Sequence, residues 1–344
     1  MNRIILTGGG TGGHVIPILS LLDSLQKEGF SCHFIGSKNG IEKELIKDIP
    51  YFEISTGKFR RYLSLKNLTD PLKVVKGVGD AIKVMKRIKP DIVFSKGGFV
   101  AVPVILAAKM LKIPIVIHES DITPGLANKI AIPFAKCVCV SFPETLKKIG
   151  KKAIFTGIPI RKEILNGDKR RLNYSLRNLP TVLVTGGSTG SLAINNAIWD
   201  NIENLLLDYN IVHLTGKGKM NTNIKKDGYI QLQYANDEMA HLYDLADIVI
   251  SRAGANTLAE LLALRKPNLL IPLPLSQSRG DQMENAKSFE IQGFSKVLLE
   301  ENIVNLRNDL NDLYKKRVEY KMNMVEVDQK DSVSTIVQIL KKIH

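Results

Sequence analysis

The chain has 344 residues, of which 44% are apolar, and its 48 lysine and arginine residues against 34 acidic ones give a formal charge of +14. This length is too great for one ordinary domain and suits two. We expect no secretory signal, and no apolar run reaches the roughly 18 residues of a membrane-spanning helix. The three cysteines fit a reducing compartment. The basic excess predicts a polyanionic partner, such as nucleic acid, an anionic membrane surface or an acidic substrate.

Short apolar runs alternate with helical stretches in the first half of the chain. This alternation predicts a parallel sheet with helices on both faces, because a strand covered on both sides reads as a continuous apolar run. The predicted strands are Ile4–Thr7, Cys32–Gly36, Ile92–Ser95, Pro114–His118, Cys137–Ser141 and Ala153–Thr156, and the main predicted helices are Val15–Glu28, Ile41–Lys47, Leu72–Ile88 and Val100–Leu111.

A polar, charged stretch at 161–179 follows, and the same alternation then begins again. We therefore predict a second domain of the same α/β architecture. The last helix, 332–343, comes after the second sheet should be complete, so we expect it to pack on the first domain. The predicted strands of the second half are Thr181–Thr185, Ile211–Thr215, Tyr229–Leu232, Ile248–Ser251 and Leu269–Pro272, with helices at Glu238–Leu245, Asn256–Leu264 and Gln282–Gln292.

Glycine-rich loops follow the first strand of each half, at 8–13 and 186–190. Glycine lets the backbone turn sharply and approach a ligand closely, and the next helix offers unpaired N–H groups. Each loop is therefore a candidate site for a phosphate or a developing oxyanion, although a tight turn without a ligand explains the glycines equally well. His14 directly follows the first loop, and an imidazole at that position suggests proton transfer.

Other polar loops also follow predicted strands, where ligands of open parallel sheets bind. His118 and Glu119 end one apolar strand, and because burying them without partners would be costly we favour a site role over structural hydrogen bonding. Glu260 suits the two hydroxyls of a ribose, or simply interacts with the dipole of its helix. The stretch 281–285 suits sugar hydroxyls, with helix capping as the alternative.

The basic excess is concentrated at 58–89, where the only acidic residues are Asp70 and Asp80. Apolar residues recur there at steps of three and four from Leu72 onward, which predicts an amphipathic helix with Pro71 near its start. One interpretation is a helix that covers its own core and exposes its lysines. The other is attachment to an anionic membrane surface.

Several common chemistries do not fit the sequence. The loop at 8–13 matches a dinucleotide fingerprint loosely, but the next predicted strand does not end in an acidic residue. The P-loop and the HExxH zinc motif do not occur. An Asp-x-Asp pair is also missing from the sequence, so we expect no carboxylate-held magnesium on a diphosphate.

Six loops occur in the following order: Gly9–His14, Lys96–Phe99, His118–Glu119 with Thr123–Lys129, Gly186–Ser188, Ser251–Gly254 with Glu260, and Asp281–Gln282 with Asn285–Ala286. Taken together, they resemble the MurG family of bacterial peptidoglycan transferases, and the resemblance extends over almost the whole chain. The resemblance implies a GT-B fold, in which two Rossmann-like parallel-sheet domains face each other across a cleft and the last helix returns to the first domain. The implied domains are 1–160 with 331–344, on the acceptor and membrane side, and 161–330, which binds UDP-N-acetylglucosamine.

The resemblance also implies roles for single residues. Thr11, Gly12, Gly13 and His14 are expected beside the donor sugar and the acceptor, and Asp121 is a further substrate contact. Ser188 is expected at the donor diphosphate, Arg161 and Ala235 around the uracil, Glu260 at the ribose with Ala255, Asn256 and Thr257 beside it, and Gln282 and Asn285 at the N-acetylglucosamine.

The implied reaction is an inverting transfer of N-acetylglucosamine from its UDP donor to the 4-hydroxyl of the muramyl residue in undecaprenyl-pyrophosphoryl-muramyl-pentapeptide, without cofactor or metal. We assign His14 as general base because an imidazole can accept a proton at neutral pH, with Glu119 as the alternative. The expected location is the cytoplasmic face of the bacterial membrane, reached through 58–89, and no nucleic-acid partner is expected.

Three other functions compete with this one. The first is a related activity on the same fold, a diacylglycerol glucosyltransferase or a UDP-N-acetylglucosamine 2-epimerase, and the loops at 118–119 and 123–125 argue against both. The second is an NAD-dependent oxidoreductase. The third is a basic module, without enzymatic activity, that binds membranes or RNA.

Overall fold

A computed structural model describes residues 2–57, 66–187, 189–327 and 331–343, with the backbone alone for 66–70. The chain divides into two units, Met1–Arg161 with Lys330–His344 and Lys162–Gln329. Each unit is built on one parallel β-sheet, which confirms the predicted α/β class. Arg161, which was predicted to open the second domain, is the last residue of the first unit.

The sheet of the first unit has seven strands, each parallel to its neighbours. They are β1 (Asn2–Thr7), β2 (Phe30–Ser37), β3 (Tyr51–Ile54), β4 (Ile92–Ser95), β5 (Ile115–Glu119), β6 (Cys137–Val140) and β7 (Ala153–Phe155). Their order is β3-β2-β1-β4-β5-β6-β7. Chain order reverses between β1 and β4, and such a reversal opens a crevice beyond the carboxyl ends of the two strands. Only the edge strand β3 was not predicted.

Helices cover both faces of this sheet. Ile4 and Leu6 of β1 belong to one apolar cluster and Ile5 to another, because successive side chains of a strand point to opposite faces. All three side chains are fully buried. The helices that supply the covering residues include α1 (Gly12–Lys27), α2 (Ile41–Leu45), α3 (Lys66–Ile88), α4 (Ala101–Met110), α5 (Leu126–Ala131) and α6 (Pro143–Ile149).

Helix α3 differs from its prediction in its first turns. It begins at Lys66, so Pro71 lies inside it. Leu72 and Val75, which belong to the predicted apolar face, are 71% and 70% exposed, whereas Val74 is buried. Apolar residues form two adjoining stripes along this helix, and the stripes have their later residues in common. The spacing of the apolar residues therefore does not show which stripe faces the core. The part of the predicted basic segment at 58–65 lies outside the described residues.

The second unit repeats the architecture with six parallel strands in the order β10-β9-β8-β11-β12-β13. Chain order reverses here between β8 and β11, which places a second crevice at the ends of those strands. The strands are β8 (Thr181–Thr185), β9 (Asn210–Leu214), β10 (Tyr229–Leu232), β11 (Ile248–Ser251), β12 (Asn268–Leu270) and β13 (Lys296–Val297).

The helices of the second unit close its core on both sides. Leu306, Leu310 and Leu313 are fully buried at steps of four and three against Val184 and Ile250 of the sheet. These helices are α7 (Leu192–Asp200), α8 (Ile202–Leu205), α9 (Met239–Leu245), α10 (Ala255–Ala263), α11 (Asp281–Ile291), α12 (Leu306–Lys315) and α13 (Arg317–Val325). Of these, α9, α10 and α11 were predicted.

The last helix, α14 (Ser332–Ile343), packs on the first unit, as predicted. Ile336 and Leu340 are fully buried in the cluster that also holds Leu21 of α1. Lys341 and Glu28 form an ion pair of 2.5 Å at the edge of this contact. The helix that completes the first core therefore follows the whole second unit in the sequence.

Candidate functional site

The first glycine loop leaves β1 where the strand order reverses, and α1 begins within it at Gly12. Gly10 has a φ of 86°, a conformation that glycine adopts at little cost. Thr11 is extended, and its hydroxyl oxygen lies 3.0 Å from Nδ1 of His14. Gly13 is exposed and His14 is half-buried. Four of the predicted site residues, Thr11 to His14, therefore form one turn at the crevice of the first unit.

The loop that follows β4 interlocks with the first glycine loop. The N–H of Gly9 donates to the carbonyl oxygen of Gly97 over 3.4 Å. A Cβ on Gly98 would collide with the carbonyl oxygen of Gly9, and a Cβ on Gly10 would lie 2.5 Å from the ring of Phe99. The two loops thus require glycine where they meet, because their backbones are in direct contact.

The carboxylate of Glu119 shapes the third loop of the crevice. It is buried and accepts hydrogen bonds from the backbone N–H groups of Asp121 and Gly125, both 3.0 Å, and from Nδ2 of Asn128, 2.8 Å. Charge-assisted hydrogen bonds of this kind are about twice as strong as neutral ones. Both oxygens of Glu119 are thereby engaged in holding the loop. Asp121 is half-buried in the same loop.

His118 is fully buried at the end of β5. Its Nε2 lies 2.8 Å from the carbonyl oxygen of Gly157, which can only accept, so Nε2 carries the hydrogen. Burial, followed by the charge of Lys96, lowers the pKa of His118 well below its usual value, so the ring is neutral. Its Nδ1 has no hydrogen-bond partner among the described residues.

Lys96 places an ammonium group in the interior of the same crevice. Its side chain is buried, and its Nζ contacts the hydroxyl of Ser120. Burial lowers the pKa of Lys96 to about 8, and the negative charges of Glu119 and Asp121 oppose the shift. A buried cation is costly unless opposite charges lie near it. The two carboxylates therefore compensate Lys96, and that of Glu119 also shapes the loop.

The glycine loop of the second unit follows β8 and has a different neighbour. Gly187 has a φ of 84°, and its N–H donates to Oγ1 of Thr185 over 3.2 Å. Nζ of Lys219 donates to the carbonyl oxygen of Thr189 over 2.8 Å. An ammonium group therefore lies directly against this loop. Ser188, the predicted diphosphate contact, lies outside the described residues.

Arg252 ties this glycine loop to the rest of the second crevice. Its guanidinium donates to Oγ of Ser191, 2.7 Å, and to the carbonyl oxygens of Ile271, 3.0 Å, and Pro272, 3.1 Å. It also pairs with Glu300 at 2.6 Å. Ser191 in turn caps α7 by accepting from a backbone N–H. Arg252 is buried and holds three segments in register.

The first turn of α10 and Glu260 lie at the end of β11. Ala255 is buried, and Asn256, Thr257 and Glu260 are half-buried. The hydroxyl of the fully buried Tyr243 donates to Oε2 of Glu260 over 3.1 Å. This hydrogen bond fixes the orientation of a partly accessible carboxylate, which suits the predicted contact with a ribose.

The predicted sugar contacts on α11 have structural partners. Oε1 of Gln282 accepts from the N–H of Leu273 over 3.1 Å. Asn285 is fully buried, and its Nδ2 donates to the carbonyl oxygen of Ala253 over 3.3 Å. Gln282 and Asn285 therefore join α11 to neighbouring loops, and a direct contact with a sugar stays a prediction for both.

The two predicted uracil contacts lie on different units. Ala235 is half-buried, next to Tyr234, which is 61% exposed. Arg161 ends the first unit, and its Nε is buried without a hydrogen-bond partner among the described residues. Their role at a base stays a prediction.

Four residues that order the two crevices were not predicted as site residues: Glu42, Tyr243, and Lys96 and Arg252, which lie in two of the six loops. Lys96 carried a weak signal, because it directly follows a predicted buried strand and a buried lysine needs a partner. The other three look like ordinary surface or core residues until the fold brings their partners together. In the described part of the chain, no group of three or more histidine, cysteine, aspartate or glutamate side chains could hold a metal ion. The same ranges contain no helix long and apolar enough to cross a membrane.

Two family models match the chain, one in each half of the sequence. The N-terminal domain of glycosyltransferase family 28 matches residues 4–140, and the C-terminal domain of that family matches residues 181–339. Both crevices therefore lie in segments that are typical of sugar transferases.

The relatives extend over the whole chain. A UDP-N-acetylglucosamine--N-acetylmuramyl-(pentapeptide) pyrophosphoryl-undecaprenol N-acetylglucosamine transferase of Lachnoclostridium phytofermentans is 51% identical, with 100% of this chain and 99% of the relative covered. A protein of the same name from Lachnospira eligens is 52% identical, with 99% of both covered. The crystal structure of MurG from Acinetobacter baumannii superposes with a TM-score of 0.77 at 26% identity, with 99% of this chain and 100% of that chain covered. The chain belongs to glycosyltransferase family 28 and, within it, to the MurG family, which confirms the resemblance seen in the loops.

The buried ammonium of Lys96 predicts a pH-dependent stability. Folding moves this group from a pKa of 10.5 to about 8, so between these values the unfolded chain binds more protons and the free energy of unfolding rises with pH. Lys96→Met removes this contribution. We expect the difference in unfolding free energy, wild type minus variant, to increase by about 2–3 kcal/mol between pH 7.5 and 10.5.

Urea denaturation at both pH values, followed by circular dichroism, measures this difference. Lys86→Met, at an exposed position of α3, is the matched control and should give a flat difference. A flat difference for Lys96→Met as well would mean that Lys96 is not buried as an ammonium group.

Proposed function

We propose that the protein transfers N-acetylglucosamine from UDP-N-acetylglucosamine to the muramyl residue of undecaprenyl-pyrophosphoryl-muramyl-pentapeptide, a step of peptidoglycan synthesis. The single observation that carries this proposal is the 51% identity, over the full chain, to a transferase named for this reaction. The loops that order both crevices are the same loops in which the family resemblance resides. The proposal therefore rests on whole-chain similarity and is supported by site geometry.

The second unit supplies the donor site in this proposal. The glycine loop with Lys219 behind it and the N-terminus of α7 provide N–H groups and positive charge for the diphosphate. Glu260, oriented by Tyr243, holds the ribose. The further donor contacts proposed are Arg161, Ser188, Ala235, Ala255, Asn256, Thr257, Gln282 and Asn285.

The first unit supplies the acceptor site and the general base. His14 lies in the turn formed with Thr11 and is half-buried, so it keeps access to the crevice. Both oxygens of Glu119 already accept hydrogen bonds from its own loop. We therefore assign proton transfer to His14 and a positioning role to Glu119. Asp121 remains a proposed acceptor contact.

The reaction proceeds in one step with inversion. The 4-hydroxyl oxygen of the muramyl residue forms a bond to the anomeric carbon while the bond from that carbon to the UDP oxygen breaks. The electron pair leaves with UDP, and the hydroxyl proton passes to His14. N–H groups and the ammonium beside the second glycine loop stabilise the charge that develops on UDP. We expect no requirement for a metal or another cofactor.

The exposed side chains at 72–76 of α3 form the proposed membrane contact. Leu72 and Val75 are largely exposed, with Lys73 and Lys76 exposed between and after them. Apolar side chains among lysines suit the boundary between anionic headgroups and acyl chains. We propose that this surface, within the predicted segment 58–89, brings the enzyme to the cytoplasmic face of the membrane that holds its lipid-linked acceptor. A nucleic-acid partner is not part of the proposal.

The function is tested directly by the transfer of labelled N-acetylglucosamine to an acceptor analogue. The analogue is the muramyl-pentapeptide linked to a lipid chain that is soluble in water. We expect transfer from UDP-N-acetylglucosamine, unchanged by a chelator, and a rise in melting temperature with UDP but not with NAD, because a ligand that binds only the native state stabilises it. UDP binding without transfer would exclude this reaction and would favour an epimerase or another transferase. Stabilisation by NAD alone would favour the oxidoreductase.

His14→Ala tests the general base. We expect kcat to fall by about a hundredfold or more, since a positioned base contributes roughly that factor, with the Kd for UDP unchanged. His33→Ala, at a half-buried position of β2, is the control and should keep its kcat. Near-normal turnover of His14→Ala at neutral pH would exclude His14 as the base.

The membrane contact is tested with the double variant Leu72→Glu, Val75→Glu. We expect binding to phosphatidylglycerol vesicles to weaken about tenfold, because the charges repel the surface and apolar contact is lost. Val304→Glu with Ile291→Glu, exposed apolar residues of the second unit at 81% and 75%, is the matched control. Equal losses in both double variants would show that binding reports net charge alone.

A further inference from the structure

Glu42 lies fully buried beneath the first glycine loop. It is in the first turn of α2, and its Oε1 accepts hydrogen bonds from the backbone N–H, 3.1 Å, and the hydroxyl, 2.5 Å, of Ser37. Its Oε2 accepts from the N–H of Gly10 over 3.2 Å. The carboxylate thus joins the end of β2 to the middle of the loop that carries His14.

Contact between Glu42 and the loop is close on more than one side. A Cβ on Gly9 would lie 2.6 Å from Cδ of Glu42, so the glycine is needed to admit the carboxylate. On its other side the loop contacts Gly97 and Phe99. The first glycine loop is therefore held between a buried carboxylate and the loop after β4.

This arrangement decides which ligands the loop can take. A glycine loop binds phosphate through backbone N–H groups and the positive end of the next helix. Here the N–H of Gly10 donates to a carboxylate, and a phosphate in its place would meet a buried negative charge. Repulsion between like charges in the interior, where the effective dielectric constant is near 20, is several-fold stronger than in water.

The second glycine loop has the opposite charge behind it. Nζ of Lys219 contacts the carbonyl oxygens of Thr189, 2.8 Å, and Gly190, 3.4 Å. The two loops occupy equivalent places, each after the first strand of its unit. The groups in direct contact with the two loops therefore differ in charge: the carboxylate of Glu42 contacts the first loop, and the ammonium of Lys219 contacts the second.

We infer that Glu42 is a positioning and specificity-determining residue: it fixes the first glycine loop and engages the N–H of Gly10, so that the phosphates of UDP are bound by the second loop and not by the first. The inference rests on the proposed function, because it assigns the first loop to the reacting sugars. It extends that function to Glu42, which touches neither the donor nor the acceptor and acts through the loop.

Amide signals of protein labelled with ¹⁵N-glycine test the charge selection directly. On addition of UDP to the wild type, we expect the signal of Gly187 to shift and that of Gly10 to stay, and inorganic phosphate should also leave Gly10 unchanged. In Glu42→Gln, Gly10 should become responsive to inorganic phosphate. A Gly10 shift in the wild type as large as that of Gly187 would overturn the inference, whereas the absence of any Gly187 shift would count against the donor site instead.

Transfer kinetics test the positioning role. We expect Glu42→Gln to lower kcat/KM for the lipid-linked acceptor about ten- to a hundredfold, the loss that goes with a hydrogen bond to a charged group. KM for UDP-N-acetylglucosamine should stay within about twofold, because the donor site lies in the other unit. Glu42→Ala should lose more, since the amide oxygen of Gln still accepts one of the hydrogen bonds.

Glu44→Gln, at an exposed position of the same helix, is the matched control and should behave as wild type. Glycine amide spectra of each variant establish that it is folded before its kinetics are read. Wild-type kcat/KM in a folded Glu42→Gln would refute the positioning role. Equal rises in the KM values for both substrates would show that Glu42 is merely structural.

Discussion

Direct backbone contact between glycine loops is the constraint on which the first crevice depends. Gly98 packs on the carbonyl of Gly9, and Gly10 packs on the ring of Phe99, so the loops after β1 and β4 cannot separate without losing their shape. This contact exists because β1 and β4 are neighbours in the sheet, at the point where chain order reverses. The sheet therefore determines the position of the turn that carries His14.

The fold itself was largely predictable, because continuous apolar strands alternating with helices admit few other architectures. Ile92–Ser95 and Ile248–Ser251 were placed to the residue. The strand β13 was not, since two residues at a sheet edge carry no periodic signal. Helix α12 was missed because its leucines, 306, 310 and 313, stand among polar residues in a region without a preceding strand signal.

The candidate site was predictable only where its residues lie in the loops themselves. Thr11 and His14 are three residues apart in the sequence, so their proximity could be predicted without knowledge of the fold. The pairing of Glu42 with Gly10 spans 32 residues, and that of Tyr243 with Glu260 joins two helices. Such partners are brought together by strand register, which a single sequence does not specify at side-chain resolution. Glu42 and Tyr243, which position the site from outside its loops, were accordingly missed.

The buried charges of the first crevice also limit how variants of Glu119 can be interpreted. Its carboxylate holds Asp121, Gly125 and Asn128, and with Asp121 it compensates the ammonium of Lys96. Removing one charge of such a set leaves the other uncompensated, which is far more costly than the pair was favourable. Lost activity in a Glu119 variant would therefore report a collapsed loop, and it would not identify Glu119 as a base. Proton transfer is better judged at His14, whose ring is partly exposed and is not needed to neutralise a buried charge.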